Sequence, residues 1–221
     1  MIIYRISLSQ IVWDSYFRPI RSKQDILTVL MNCIRLANTN ISLLSEEHVG
    51  KLTIFKNKNT HRFVISKAEQ YYSFAIPFRT QATEEGTIEF SHSGGTIIDS
   101  MMVSAINTLL KSDIFNLSND VMGTLEITEA VSEEMADDTI RDWLWPIFQD
   151  LLAYNDGYLR YDHDAENADG HFHPVHHLDI FYSNQAQIKA GLMDLMQEES
   201  FIDFLNKETE CHYAIHHNRM P

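Results

Sequence analysis

Two short stretches near the carboxyl end decide how this chain is read: Tyr158-Leu159-Arg160-Tyr161-Asp162-His163 and His173-Pro174-Val175-His176-His177-Leu178-Asp179-Ile180-Phe181-Tyr182. Side chains alternate across a β-strand, so residues two apart share a face. In the first stretch Tyr158, Arg160 and Asp162 fall on one side, and Leu159, Tyr161 and His163 on the other. Pro174 has no N–H to give a ladder and marks the entry of the second strand. Beyond it, Val175, His177, Asp179 and Phe181 share one side, while His176, Leu178, Ile180 and Tyr182 share the opposite one. Paired as a hairpin, the two strands bring Arg160, Asp162, His177 and Asp179 together at cross-strand distances.

Outward from that hairpin the pattern mixes both periods. Ser22 with Asp25 has capping-box spacing, and Ile26, Leu30, Cys33, Ile34 and Ala37 follow at helical intervals. Four strand-like runs come next: Lys51–Phe55, His61–Ser66, Tyr71–Pro77 and Thr87–Ser91. A nearly all-apolar helix is expected from Thr96 to Leu110. An acidic helix is expected from Ser132 to Ala153, kinked at Pro146. A further strand, Gln187–Leu192, and an amphipathic terminal helix close the chain. The expectation is an α+β fold, with antiparallel sheet packed against about four helices. It is read as a single domain over 1–221, with an acidic helical segment at 126–157 and a histidine-rich β-hairpin and terminal helix at 158–217.

Composition narrows the function classes. The 221 residues are 44% hydrophobic and 22% charged, with 8 Gly and 5 Pro, which excludes a disordered or collagen-like chain. No run approaches the roughly 18 apolar residues that span a bilayer. Residues 1–20 show no basic patch followed by an apolar core, so no secretory signal is expected there, and two cysteines build no disulfide framework, so a cytoplasmic protein is expected. The net charge of −14 is uneven, because residues 126–169 hold 13 acids against Arg141 and Arg160. Such a field repels a phosphate backbone, and the acidic segment is read either as keeping an exposed helix soluble or as a docking face for a basic protein partner. Lys51, Lys56, Lys58 and Arg62 form a small basic strip, read as a solvated strand face. Self-association as a homo-oligomer stays open.

Eight of the 11 histidines lie at or beyond position 163. Imidazoles beside carboxylates suit a divalent metal such as zinc or manganese, with His173, His176, His177 and Asp179 as candidate ligands. Without metal, His177 oriented by Asp179 or Asp162 could act as a base, with Arg160 binding an anion. Structural hydrogen bonding is the third reading. His212 and His216 would share a face at i, i+4 if the last helix continues. Gly94-Gly95-Thr96 could hold a small anion, and Trp143 beside Trp145 could anchor a partner.

The pattern His173-Pro-x-His176-His177-Leu178, followed by Ile188-Lys189 and Phe201-Ile202-Asp203-Phe204, resembles an uncharacterised bacterial family of unknown function, associated with mobile elements and defence islands. The resemblance covers about residues 158–206. It implies a bacterial cytosolic protein encoded beside other components and acting against phage, and it attaches no catalytic assignment. Two functions follow as expectations. The first is an interaction or regulatory subunit of a multi-protein system, docking through its acidic helical face. The alternative is a metal-dependent hydrolase, a phosphodiesterase or nuclease, using the His/Asp cluster.

Overall fold

Antiparallel pairing organises the carboxyl-terminal third, in a computed structural model that describes residues 2–39, 48–84, 87–112, 121–135, 137–170, 172–183 and 185–212. The chain divides into two compact units. One comprises Met1–Ser7, His48–Ala75 and Gly157–Pro221, and the other Leu8–Glu47 and Ile76–Asp156.

The first unit is built on a seven-stranded sheet. Its strands are β1 (Ile2–Leu8), β2 (Gly50–Lys56), β3 (His61–Lys67), β4 (Gln70–Ala75), β7 (Leu159–His163), β8 (His176–Ile180) and β9 (Ile188–Gly191), in that spatial order. The β2–β3 turn is closed by Asn57, whose Oδ1 accepts from the Asn59 and Thr60 N–H groups, as an Asx turn does. β4 then pairs with β7, setting Gln70 opposite Asp162 and Tyr72 opposite Arg160. Residues 76–156, which lie between these strands in sequence, make up most of the second unit. On one face Phe55, Val64, Tyr71, Leu159, Tyr161 and Leu178 form a cluster closed by Phe201 and Ile202 of α6 (Glu198–Phe204). Tyr71 stacks on Tyr161 with ring centroids 5.4 Å apart.

The second unit is mainly helical: α1 (Gln10–Tyr16), α2 (Lys23–Thr39), α3 (Ser100–Lys111), α4 (Val121–Met135) and α5 (Asp138–Ala153), with a two-stranded β5 (Arg79–Ala82) and β6 (Ile88–Ser91). The Ser22 box forms as the spacing predicts, with the Asp25 N–H donating to Ser22 Oγ at 3.1 Å. The α2 stripe is buried throughout, and burial raises the Cys33 thiol well above its ordinary value. α3 packs against α2, α4 and α5.

The α+β expectation holds, with six helices among the described residues, while several element boundaries differ from those expected. The Thr96 box does not form: Ile98 N–H donates to Phe90 O, tying 96–98 beside β6, so the helix starts at Ser100 with Asp99 as its cap. The single helix expected over 132–153 is two, because Asp137 turns extended and caps a new start at Ile140 N. α5 continues past Pro146 to Ala153. No described helix is long and apolar enough to cross a membrane.

Candidate functional site

The β7–β8 register sets Arg160 opposite Asp179 and Asp162 opposite His177. All four side chains fall on the sheet face opposite the Tyr161 cluster, as the alternation predicts. Arg160 bridges the two acids. Its Nε lies 2.6 Å from Asp162 Oδ2, and its Nη2 donates to Asp179 Oδ2 at 2.5 Å. Burial opposes the guanidinium charge, but Asp162, Tyr158 and Asp179 outweigh it and raise the Arg160 pKa. Gln70 Nε2 donates to the other oxygen of Asp162 at 2.6 Å. Beside them the Tyr158 phenol is pushed up to about 12, chiefly by burial.

His177 is 1% exposed. Its Nδ1 lies 2.9 Å from Pro174 O, and a carbonyl oxygen only accepts, so the proton sits on Nδ1. The other ring nitrogen, Nε2, therefore faces the charged cluster, 3.8 Å from Asp162 Oδ2 and 3.9 Å from Asp179 Oδ2. Asp162, His177 and Asp179 each offer a ligand atom within 4.8 Å of one another, a grouping that could hold a metal ion.

A fifth member comes from β9. Lys189 stands opposite Asp179 in the ladder, and its Nζ lies 3.2 Å from His177 Nε2, 3.4 Å from His173 Nδ1 and 3.8 Å from Asp179 Oδ1. That last oxygen is buried and makes no hydrogen bond. His173 donates through Nε2 to Asp164 Oδ2 at 3.2 Å. The Asn167 backbone N–H, aided by the Asn167 side chain and His173, holds the Asp164 carboxyl below its ordinary range. The His173 and His177 rings meet edge-on, with centroids 4.9 Å apart. Gly191 lies against the proline: a Cβ there would be 2.8 Å from Pro174 Cγ, so the absence of a side chain permits this close approach.

His176 does not join this set. Alternation turns it to the other face, where its ring lies parallel to Tyr161 and its Nδ1 is 3.0 Å from the Tyr161 hydroxyl. His163 is on that face too, paired with Glu69. His171, His216 and His217 lie outside the described residues. α6 stops at Phe204, so His212 is not on a helix; it pairs with Asp203 at 2.7 Å. Two members of the basic strip have partners within their own unit, Lys51 on Glu198 at 2.7 Å and Arg62 on Ser73 and Gly157 O. At Gly94-Gly95-Thr96 the backbone closes on itself, since Gly95 N–H donates to His92 O and His92 N–H to Thr96 O. Lys189 and Gln70 are the members that strand alternation alone misses. Each enters through a pairing, β8–β9 or β4–β7, and the second joins residues 92 apart in sequence.

This is an α+β chain carrying a charge-balanced cluster of Asp, His, Arg and Lys on one sheet face. No protein-family model matches it, and no curated protein and no solved structure matches it either.

Proposed function

We propose that the chain is a metal-dependent hydrolase centred on the β7–β8–β9 face, with a divalent cation, zinc in preference to manganese, held by His173, His177 and Asp179 beside Asp162. One observation carries the reading: three acceptor atoms, His173 Nδ1, His177 Nε2 and Asp179 Oδ1, surround a single cationic group at 3.4, 3.2 and 3.8 Å. Each imidazole has its outer N–H engaged, by Asp164 in one case and by Pro174 O in the other. That is how ligating histidines are oriented, through the nitrogen that does not touch the metal. Two imidazoles and a carboxylate suit zinc better than manganese, which prefers oxygen. The Lys189 side chain is 31% exposed and has solvent to withdraw into when a divalent ion takes its place.

Such an ion would supply Lewis-acid polarisation of a phosphoester oxygen. The chain contributes Arg160, whose guanidinium is fixed by two carboxylates, to receive the anionic group. Asp162, whose oxygens already pair with Arg160 and accept from Gln70, would take the proton of an attacking water through a remaining lone pair, while the P–O bond to the leaving alcohol breaks and that alcohol takes a proton from solvent. A small phosphodiester is the substrate class this supports, because the overall charge of −14 repels a long polyanion.

Calorimetric titration of metal-stripped protein with zinc tests the reading. One ion per chain is expected, weakened at least about tenfold by His177→Ala or Asp179→Asn and unchanged by His176→Ala on the opposite face. Absence of stoichiometric binding, or equal loss in all three variants, overturns it. Zinc-dependent cleavage of bis(p-nitrophenyl) phosphate, abolished by Asp162→Asn, tests the hydrolytic half; a zinc-loaded protein inert toward that ester refutes it.

A further inference from the structure

The helical unit carries a second feature, independent of the cluster on the sheet. Asp99 and Asp137 cap α3 and α5: Asp99 Oδ1 accepts from the Met102 N–H at 2.8 Å, and Asp137 Oδ1 from the Ile140 N–H at 3.0 Å. Between these two helix starts lies a groove of about 500 Å³, floored by Ile140 and flanked by Ile97, Met101 and Trp143. Ile97 and Met101 are 48% and 43% exposed. Trp143 is seated against the 93–95 turn, where a Cβ on Gly94 would meet its ring at 2.7 Å. The wall is thus formed by packing within the unit.

Charge narrows the occupant. The groove lining holds two carboxylates and no basic side chain among the described residues. The unit around it, Leu8–Glu47 and Ile76–Asp156, has 19 acids and 7 bases, a net −12 of the chain's −14. Glu126, Glu129, Glu133, Glu134, Asp138 and Asp142 are exposed on α4 and α5. Phosphate-bearing ligands are repelled by that field, and a second copy of the unit would present the same sign. An apolar floor under an acidic mouth complements a chain segment with one aliphatic or aromatic anchor flanked by Lys or Arg.

We infer that this groove docks a basic segment of a partner protein, its apolar anchor seated between Ile97, Met101 and Trp143 and its flanking cations against Asp99 and Asp137. The acidic segment is then a recognition surface, with the helix caps serving as its charged lip.

Asparagine caps a helix about as well as aspartate, so Asp99→Asn with Asp137→Asn removes the charge and keeps the helix starts. The probe is a fluorescein-labelled decapeptide of alternating Leu and Lys, with a Leu/Glu decapeptide as control, followed by anisotropy. The basic peptide is expected to bind and the acidic one not. The double variant should bind about tenfold more weakly with unchanged melting temperature. Raising salt from about 0.05 to about 0.5 M should weaken the wild type more than the variant. Met101→Ser should also weaken binding, with the salt dependence kept. The inference is overturned if the basic peptide does not bind, or if it binds the double variant and Met101→Ser as tightly as the wild type, since attraction would then belong to the whole acidic surface. Asp99, Asp137 and Met101 are no part of the sheet cluster, so zinc titration of these variants should be unchanged and the two proposals fail separately.

Discussion

His177 donates its Nδ1 proton to the carbonyl oxygen of Pro174 at 2.9 Å, and that bond decides which imidazole nitrogen faces Asp162, Asp179 and Lys189. Pro174 is held in turn by what is missing across the ladder: Gly191 stands opposite His177, and any Cβ there would come within 2.8 Å of the proline ring. A five-membered ring cannot yield as a flexible side chain does, so the backbone of one strand or the other must shift.

Gly191→Ala therefore tests this close approach. Overpacking of this kind costs about 1–3 kcal/mol, to be read from the urea midpoint at unchanged slope. The same shift lengthens the Pro174–His177 bond, so zinc affinity should fall along with stability. A variant as stable as the wild type, with unaltered zinc binding, would show that the proline moves aside without consequence.

Lys189→Met separates the two roles of that ammonium. In metal-free protein it removes the ammonium 3.8 Å from the buried Asp179 Oδ1, with Arg160 still holding Oδ2, and leaves His177 Nε2 without a donor. A partly exposed lysine is worth little, so a loss of about 1 kcal/mol is expected. With zinc present the sign reverses, because the competitor for the same acceptors is gone and the ion should bind about tenfold more tightly. Denaturation with and without zinc reads both. Weaker zinc binding in this variant would mean that the lysine supports the site and does not stand in the ion's place.

The β7–β8 hairpin is legible in sequence because its polar residues fall on one parity of both strands, which fixes face as well as element. The same logic removes His176 from the ligand set, since no register brings adjacent residues of one strand to one face. β1 carries a comparable signal, with Ile6 and Leu8 buried and Arg5 and Ser7 exposed, but its partner β2 begins at Gly50, far along the chain. α1 has only seven residues, too few for a helical period to stand out. The split between α4 and α5 is hidden because apolar spacing persists through it; the signal lies in Asp137 followed by Asp138 and Thr139, a cap and first turn in mid-pattern. Lys189 belongs to the cluster through a strand-to-strand register that no local period encodes.

His61 supplies a pH dependence. Burial, with help from Lys56, lowers its pKa from 6.5 to about 4 in the folded chain. The unfolded chain takes up a proton as pH falls through 6.5, while the folded one stays neutral until about 4. Stability from this residue is thus complete above pH 6.5 and declines between those values, at a slope of about 1 kcal/mol per pH unit at most. His61→Gln, which cannot titrate, should flatten the wild-type stability curve across that window and leave it unchanged above neutrality. Parallel curves for the two proteins would assign the acid sensitivity to other groups.

Arg160 tests whether the cluster stabilises the fold or serves a function. Removing one member of a buried ion network strands its partners, and Asp162 and Asp179 would then face each other without the bridging guanidinium. Arg160→Met should cost about 3 kcal/mol, toward the lower end for a buried pair because the arginine is partly exposed. Replacing all three charges, Arg160→Met with Asp162→Leu and Asp179→Leu, removes the stranded acids as well. Networks maintained against desolvation commonly lose little on such replacement. The triple variant should therefore recover most of the stability lost by the single one, as read from urea midpoints, while losing zinc binding. A triple variant less stable than Arg160→Met would make the network a folding element and weaken the case that these buried charges are kept for chemistry.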